Sequence, residues 1–193
     1  RFQGLPEASV CMNDVHRNTV SDALWGLLMG LSRCAELNEF RLVGGTALAL
    51  HLGHRVSVDI DWFTDTAFDS GRISEILIRE FGLEQAVVVE NSISGAIEGI
   101  KIDVIAHRYP WIDSTVDISG ARLAAVSDIA AMKLNAISNR GSKKDFWDVA
   151  TLLGHYALDD LLDLFKKRYP HVNSWQVVRS LTYFDDAEAE PDP

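Results

Sequence analysis

The chain has 193 residues, 47% of them hydrophobic and 24% charged, which is typical of one globular domain with a substantial apolar core. Its 28 acidic and 18 basic side chains give a net charge of −10, which argues against a protein that coats nucleic acid nonspecifically, although it leaves room for a local basic patch. The longest apolar stretch, residues 23–31, is about half a membrane span, and two cysteines, Cys11 and Cys34, are too few for a disulfide framework. We therefore expect a cytoplasmic protein with no membrane partner.

The predicted elements begin with an N-terminal helix. Apolar residues recur at helical spacing over about residues 14–37 and predict one amphipathic helix. Residues 40–43 form a short apolar strand that ends at Gly44 and Gly45, and residues 46–50 have the composition of the helix that follows. The early part of the chain is therefore a strand, turn and helix unit.

A second strand is predicted at residues 56–63, where polar and apolar residues alternate. With a period of two, Ser57, Asp59 and Asp61 share one face, and apolar side chains occupy the other. A helix is predicted over residues 70–81. Three further strands follow it, at residues 85–90, 93–98 and 100–106.

The chain becomes helical after about residue 126. Four helices are predicted there, at residues 128–139, 143–155, 158–169 and 174–182. We expect an α+β fold in which helices flank a mixed sheet. Its three parts are a sheet domain with the N-terminal helix (1–125), a helical portion (126–184) and a flexible acidic tail (185–193).

Asp59 and Asp61 are the first candidates for chemistry. Carboxylates two residues apart in a strand point to the same side, about 7 Å apart along the backbone, so their oxygens can converge on one or two Mg²⁺ ions. The same pattern is also typical of a solvated strand end or a turn. Their place inside an apolar strand favours a metal site, because unpaired charges are costly there.

Asp103 repeats this pattern as a single acid in the apolar strand at residues 100–106. A pair with Lys101 or with an arginine would explain it equally well. If its strand lies next to that of Asp59 and Asp61, three carboxylates meet. They can then hold two Mg²⁺ ions that bridge triphosphate oxygens and activate an attacking hydroxyl.

Gly44, Gly45 and Thr46 lie where a strand meets a helix. Backbone N–H groups and a hydroxyl at a helix N-terminus can bind an anion, although most such glycine pairs are simple turns with positive φ. Arg55, just before the acidic strand, is a candidate to contact phosphate or to clamp Asp59.

Two C-terminal helices also carry candidates. Lys133 lies on an apolar face of the helix at residues 128–139, where it can either extend to water or contact a phosphate. In the next helix, Asp145 and Asp148 are about one turn apart. The helix dipole alone would also account for Asp145 in the first turn.

Four motifs then follow one another along the chain: V-G-G-T-A-L-A-L, H-R-V-S-V-D-I-D, I-K-I-D-V-I and M-K-L-N-A-I-S-N-R-G-S-K-K-D-F-W-D-V-A. As an ordered set over about residues 40–155, they resemble the AbiEii/AbiGii toxin-family nucleotidyltransferases of the DNA polymerase β-like superfamily. The resemblance implies a polymerase β-like fold and transfer of NMP from an NTP with Mg²⁺ or Mn²⁺. It also implies the toxin of a bacterial toxin–antitoxin or abortive-infection system, with an RNA such as tRNA or a protein as acceptor and a cognate antitoxin as partner.

The residues and the resemblance together give a candidate site. The candidate catalytic residues are Asp59, Asp61, Asp103, Lys133 and Asp145, of which the first three would bind the metal. The candidate nucleotide-binding residues are Gly44, Gly45, Thr46, Arg55, Ser57, Lys133, Lys144 and Asp148. Thr46 stands where the superfamily more usually has serine.

Two other functions stay open. A catalytically silent nucleotide-binding or partner-binding module of the same fold would bind NTP without turnover, but it would have no reason to keep three strand carboxylates. A glycosyltransferase that uses Asp-x-Asp for a nucleotide sugar usually needs a longer region ahead of its acids than the 58 residues present here.

Overall fold

A computed structural model of the chain describes residues 15–193, apart from the side chain of residue 186. The helices are α1 (Asp22–Arg33), α2 (Gly44–Leu52), α3 (Ser70–Phe81), α4 (Val126–Asn139), α5 (Lys143–Leu153), α6 (Leu158–Arg168), α7 (Ser174–Ser180) and α8 (Asp185–Glu188). The strands are β1 (Arg41–Val43), β2 (Ile60–Thr64), β3 (Glu84–Val89), β4 (Ser92–Ile97), β5 (Ile100–Ala106), β6 (Val116–Ile118) and β7 (Ala121–Leu123). No helix among these residues has the length and apolar character needed to cross a membrane. Cys11 lies outside the described residues, and Cys34 is a buried free thiol.

The first helix, α1, is shorter than the helix predicted over residues 14–37, whose first residue lies outside the described part. The hydroxyl of Ser21 caps it by accepting a hydrogen bond from the Leu24 N–H, and the extended backbone of Val20 prevents an earlier start. The buried leucines, spaced as one helical face requires, are Leu24, Leu28 and Leu31.

The strands pair in the order β3-β4-β5-β2-β1-β7-β6 to form one mixed sheet. β2 is antiparallel to β1 and parallel to β5, and β1 is parallel to β7. The register places Asp61 between Val43 of β1 and Asp103 of β5. The α+β class predicted from the sequence is confirmed, and β5 is the neighbour of β2, as a site of three carboxylates requires.

The two sides of β2 and β5 differ in polarity. Ile60, Trp62, Ile102 and Val104 alternate with the acids and are fully buried in the core. The acids point to the opposite side, where Asp61 shares a cavity with residues of α4. Helix α4 in turn packs against α2, α5, α6 and α7, so the helical part of the chain covers the acidic side of the sheet.

β2 covers only the second half of the strand predicted at residues 56–63, so that prediction is wrong in its first half. β1 ends opposite Asp61 and α2 follows it at once, which leaves no partner strand on that side for earlier residues. Val58 is 65% exposed while Ser57 is buried, the reverse of the burial that the alternation predicts. Asp59 therefore lies just before the strand, and only Asp61 interrupts its apolar run.

β6 and β7 have no counterpart among the predicted strands. Each has three residues, too few for a periodic pattern, and the chain turns between them at Ser119 and Gly120, both with positive φ. Apart from α1 and β2, the predicted strands and helices are present with ends that differ by at most two residues.

The acidic segment at residues 185–193, predicted as a flexible tail, begins with the short helix α8. Lys143, the first residue of α5, donates to Glu190 from its backbone N–H and from its ammonium group, at 2.9 Å in both cases. Its ammonium group also lies 2.8 Å from a carboxylate oxygen of Asp192. These contacts tie the segment to the N-terminus of α5.

A buried ion pair holds α6 against α4. Arg168 and Asp128 are both fully buried, with 2.6 Å between guanidinium nitrogen and carboxylate oxygen. The Asp128 carboxylate also accepts hydrogen bonds from the backbone N–H groups of Ile112 and Asp113. The guanidinium lies over the ring of Trp111, 4.5 Å from its centroid. The pair therefore also fixes the chain between β5 and β6.

We expect Asp128→Asn to lower the free energy of unfolding by about 3–5 kcal/mol, because the Arg168 charge would stay buried without a counter-ion. Urea denaturation measures this change. Asp163→Asn is a control that removes the exposed pair with Lys166 on α6, and it should change stability by at most about 1 kcal/mol. An equal loss of stability in the two variants would contradict the claim that the buried pair stabilises the fold more than the exposed pair does.

Candidate functional site

The turn between β1 and α2 brings Asp61 to the start of a helix. Gly44 has a φ of +70°, a backbone conformation that favours glycine. A methyl group on its Cα would overlap a carboxylate oxygen of Asp61, and a methyl group on Gly45 would overlap the guanidinium of Arg55. The two glycines therefore allow a carboxylate and a guanidinium to lie directly against the N-terminus of α2.

We expect Gly44→Ala to lower the free energy of unfolding by clearly more than the roughly 1 kcal/mol that alanine costs at a positive φ. Gly82→Ala is a matched control, because Gly82 has a φ of +71° and no neighbouring atom within 4 Å of the added methyl group. Urea denaturation of both variants separates the backbone strain from the overlap with Asp61. Equal changes would mean that the carboxylate moves aside without loss.

The surroundings of Asp61 perturb the pKa of its carboxyl group. Burial raises the pKa of its carboxyl, and the charges of Asp103 and Asp59 add to the rise against the opposing charge of Lys133. Within residues 15–193, no lysine or arginine lies at ion-pair distance from this carboxylate. Among the described residues, Asp61 is therefore a buried acid without a directly paired cation.

Asp103 and Asp59 each have a cationic neighbour. Asp103 accepts a hydrogen bond of 2.5 Å from the Ser94 hydroxyl and one of 2.7 Å from the Lys101 ammonium group. The pair with Lys101, an alternative open from the sequence, is thus present. Asp59 lies 3.8 Å from the ammonium group of Lys144.

The three acids fit a hard divalent cation by their chemistry. Carboxylate oxygens are the ligands that Mg²⁺ and Mn²⁺ prefer, and a cation among them would offset the burial and the neighbouring charges that raise the pKa of Asp61. Among residues 15–193, no three carboxylate, histidine or cysteine side chains are already grouped closely enough to hold a metal ion. Asp61 and Asp103 are directly opposite each other on the neighbouring strands β2 and β5. Asp59 lies one residue before the start of β2.

Thr46 and Ser57 hold the segment before β2 against α2. Their hydroxyl groups are 2.8 Å apart, and the Thr46 hydroxyl also donates to the backbone carbonyl of Asp59. Both side chains are buried. Because the Thr46 hydroxyl is engaged inside the protein, the groups that α2 offers to an anion are its first backbone N–H groups.

Arg55 clamps an acid, but not the one expected. The sequence leaves open a contact with phosphate or a pair with Asp59, whereas the guanidinium binds both oxygens of Asp148, at 2.7 and 3.0 Å. The His54 ring adds a hydrogen bond of 2.7 Å to the same carboxylate. A pair of residues more than ninety positions apart cannot be derived from local spacing.

Lys133 is the centre of a buried charge cluster. Its ammonium group lies 3.0 Å from Asp145 and 2.6 Å from Asp148, and only 5% of its side chain is exposed, so it does not extend to water. Asp145 also binds Arg140 at 2.7 Å and the Ser142 hydroxyl at 2.8 Å. Both acids are fully buried, and each of their oxygens has a partner.

The cluster keeps both of its acids ionised. Burial by itself would raise the pKa of Asp145, but the hydrogen bond from Arg140 and the charge of Lys133 outweigh it and lower the pKa to about 2. At Asp148, hydrogen bonds from His54 and Arg55 likewise outweigh burial and lower the pKa. The acids therefore hold their cationic neighbours in place at neutral pH.

Two cavities meet at Asp61. The first, of about 320 Å³, lies beside Gly45 and Thr46 and has Lys144 and Arg55 in its wall. The second, of about 230 Å³, lies between β2 and α4. Asp61, Lys133 and Arg140 line both cavities.

Several residues of the second cavity are not among the sequence-based candidates. They are Phe63, His107, Asn135 and Tyr169. Phe63 follows Asp61 by two residues in the strand, and the period of two is a signal that could have placed it on the acidic side. The others come from the end of β5, from α4 and from the residue after α6, and no local pattern connects them.

His107 is held neutral in the wall of this cavity. Its Nε2 lies 2.9 Å from the Tyr169 hydroxyl, and burial, with the nearby charge of Arg168, lowers its pKa to about 4. The unfolded chain takes up a proton near the ordinary pKa of about 6.5, before the folded chain does. The contribution of the neutral His107 ring to the free energy of unfolding is therefore complete above pH 6.5, and it is lost as the pH falls towards 4.

Between pH 6.5 and pH 4, we expect the free energy of unfolding to fall less in His107→Gln than in the wild-type chain. The difference should be on the order of 1 kcal/mol, because solvent around the partly exposed ring reduces the effect of the pKa shift. Urea denaturation at a series of pH values measures both profiles. His171→Gln, at an exposed position, controls for loss of a histidine as such. Parallel profiles for His107→Gln and wild type would contradict the neutral state of the ring.

Residues 26–193 match the family described as nucleotidyl transferase AbiEii toxin, type IV TA system. An uncharacterised protein of Aquifex aeolicus (strain VF5), aq_aa25, is 37% identical over 159 residues, with 79% of this chain and 77% of that protein covered. JHP933 from Helicobacter pylori is 17% identical, with a TM-score of 0.47 over 84% of this chain and 90% of the other. The CCA-adding enzyme of Thermotoga maritima, solved in complex with tRNA, is 16% identical, with a TM-score of 0.41 over 88% and 53% of the two chains.

Proposed function

Since the chain belongs to the nucleotidyl transferase AbiEii toxin family, we propose that it transfers NMP from an NTP to an acceptor hydroxyl at the site of Asp59, Asp61 and Asp103. Nucleotidyl transfer follows from the family itself, whose match covers most of the chain. The metal, the acceptor, the residues of the site and the role as a toxin are the proposed parts.

The register of β2 and β5 is the observation that carries the proposal. It sets Asp61 directly beside Asp103 in the middle of the sheet, and the turn at Gly44 sets the helix N-terminus against the same carboxylate. Burial raises the pKa of Asp61, and the charges of Asp103 and Asp59 add to that rise, an arrangement that a structural role would not require.

Asp59, Asp61 and Asp103 would hold Mg²⁺ or Mn²⁺. When bound, such an ion neutralises triphosphate oxygens and activates the attacking hydroxyl. Asp61 would be the shared ligand, because it lies between the other two acids along the strand and across the sheet. Lys101, which is 62% exposed, is free to leave Asp103 when a stronger cation is present.

The first cavity would receive the triphosphate. The backbone N–H groups at the start of α2 would be available to an anion there, and the nearby cations are Arg55, Lys133, Arg140 and Lys144. Asp145 and Asp148 would act as positioning residues, since all of their oxygens are engaged with these cations or their neighbours. Neither acid has an oxygen left to contact a nucleotide.

The acceptor hydroxyl would approach Asp103. Its carboxylate is only partly buried, and it is the candidate base that assists removal of the hydroxyl proton. An open groove of about 810 Å³ between the end of α4 and α7 shares Asn139 and Arg140 with the second cavity, which Asp61 also lines. The wall of the groove includes Arg140 and Arg179 and no acidic side chain, although the whole chain has a net charge of −10. This local basic character supports an RNA acceptor such as tRNA over a protein acceptor.

A biological role follows from the same family. Transfer of a nucleotide to an essential RNA would stop translation, which is the action of a toxin. We therefore propose that the chain is the toxin of a bacterial toxin–antitoxin or abortive-infection system and that a cognate antitoxin is its partner.

Incubation with each labelled NTP, Mg²⁺ and total tRNA tests the proposed activity. We expect the wild-type chain to label RNA and Asp61→Asn to be at least about 100-fold slower, because the variant loses a charge at the centre of the site. Asp163→Asn, on the exposed side of α6, should keep the wild-type rate.

Two outcomes would contradict the proposal. Labelling of a protein but not of RNA would show that the acceptor is a protein and would contradict the proposed RNA acceptor. Mg²⁺-dependent binding of NTP without transfer to any RNA or protein would instead identify a catalytically silent module of the same fold.

A further inference from the structure

The second cavity lies next to the proposed triphosphate site. Both cavities share Asp61, Lys133 and Arg140, and their volumes of about 230 and 320 Å³ together fall in the range of small-molecule sites, roughly 300–1,000 Å³. A ligand whose phosphates lie in the first cavity would therefore place its remaining part in the second.

One wall of the second cavity is aromatic and uncharged. The rings of Phe63 and His107 have centroids 6.0 Å apart, and those of His107 and Tyr169 are 5.7 Å apart. The hydrogen bond between His107 and Tyr169 fixes the position of both rings. Tyr169 is buried, so Phe63 and His107, which are both partly exposed, are the rings that a flat heteroaromatic group could contact.

The opposite wall carries two amides one helical turn apart on α4. Asn135 is half-buried, and its side chain has no hydrogen-bond partner among residues 15–193. Asn139 donates to the Asn135 backbone carbonyl at 2.8 Å, which leaves its own side-chain oxygen available. An amide that has no partner in the protein keeps its donor and its acceptor available to a ligand in the cavity.

We propose that the second cavity binds the nucleobase of the NTP and that Asn135 is the residue that selects the base. The inference rests on the proposed function, which places the triphosphate in the first cavity. An amide presents one donor and one acceptor side by side, so it pairs with a base edge that presents the complementary pair and leaves groups unpaired with a base that does not.

Equilibrium binding tests the inference without an acceptor. The ligands are the four NTPs and inorganic tripolyphosphate, each with Mg²⁺, and the proteins are wild type, Asn135→Ala and the isosteric Asn135→Asp. We expect wild type to prefer one NTP and both variants to reduce that preference about tenfold, since roughly one hydrogen bond is lost. Affinity for tripolyphosphate should stay within about twofold in Asn135→Ala.

Ser138→Ala is the matched control on the same helix. Ser138 lies in the wall of the α4–α7 groove instead of the second cavity, and its hydroxyl donates to the Leu134 carbonyl. This variant should keep the wild-type preference among the four NTPs.

Three results would overturn the inference. The first is a preference among NTPs that survives both Asn135 substitutions, and the second is a wild-type chain that binds all four NTPs equally. The third is an equal loss of tripolyphosphate and NTP binding in Asn135→Ala, which would place the amide at the phosphates. A wild-type chain that binds no NTP would overturn the proposed function itself, which keeps the two failures distinct.

Discussion

The buried carboxylate of Asp148 is the group on which the arrangement of the site depends. It lies on α5 and receives Lys133 from α4 together with His54 and Arg55 from the segment before β2. A fully buried charge is tolerated only when its partners stay in place, because each lost partner leaves an ion without water or counter-charge. These ion pairs and hydrogen bonds therefore join the segment before β2 to α4 and α5.

The cluster around Asp148 also determines how charge is distributed over the site. Within this cluster, Asp145 and Asp148 both form ion pairs with Lys133. Asp148 also binds Arg55 and Asp145 binds Arg140, which holds both arginines in the wall of the first cavity. Asp59 and Asp61 lie in the wall of the same cavity. A site with cations on one side and carboxylates on the other suits a ligand that combines an anionic chain with a divalent cation, which is the form in which nucleoside triphosphates react. Asp145 and Asp148 thus fix the positions of cations, whereas Asp61 has no directly paired cation among the described residues.

Local pattern predicted the fold well because most elements here have a clear period and clear ends. Ser21 caps α1, and Gly53 and Gly82 end α2 and α3 in the left-handed conformation, so these boundaries follow from residue type. The strand predicted at residues 56–63 is wrong in its first half for a reason that the local pattern does not contain. Its alternation is real in the sequence, but a strand also needs a neighbour, and β1 ends before residues 56–59 could pair with it.

The sequence by itself determined the candidate acids at 59, 61 and 103, the glycine turn ahead of them and the helical character of the C-terminal part, since each depends on neighbours in the chain. Only the tertiary structure decided which charges meet. It paired Arg55 with Asp148 instead of Asp59, buried Lys133 between two acids, and brought Phe63, Asn135, His107 and Tyr169 around one cavity. The physical reason is that ion pairs and cavity walls form between residues that the sheet register and helix packing bring together, and their separation along the chain carries no information about that distance.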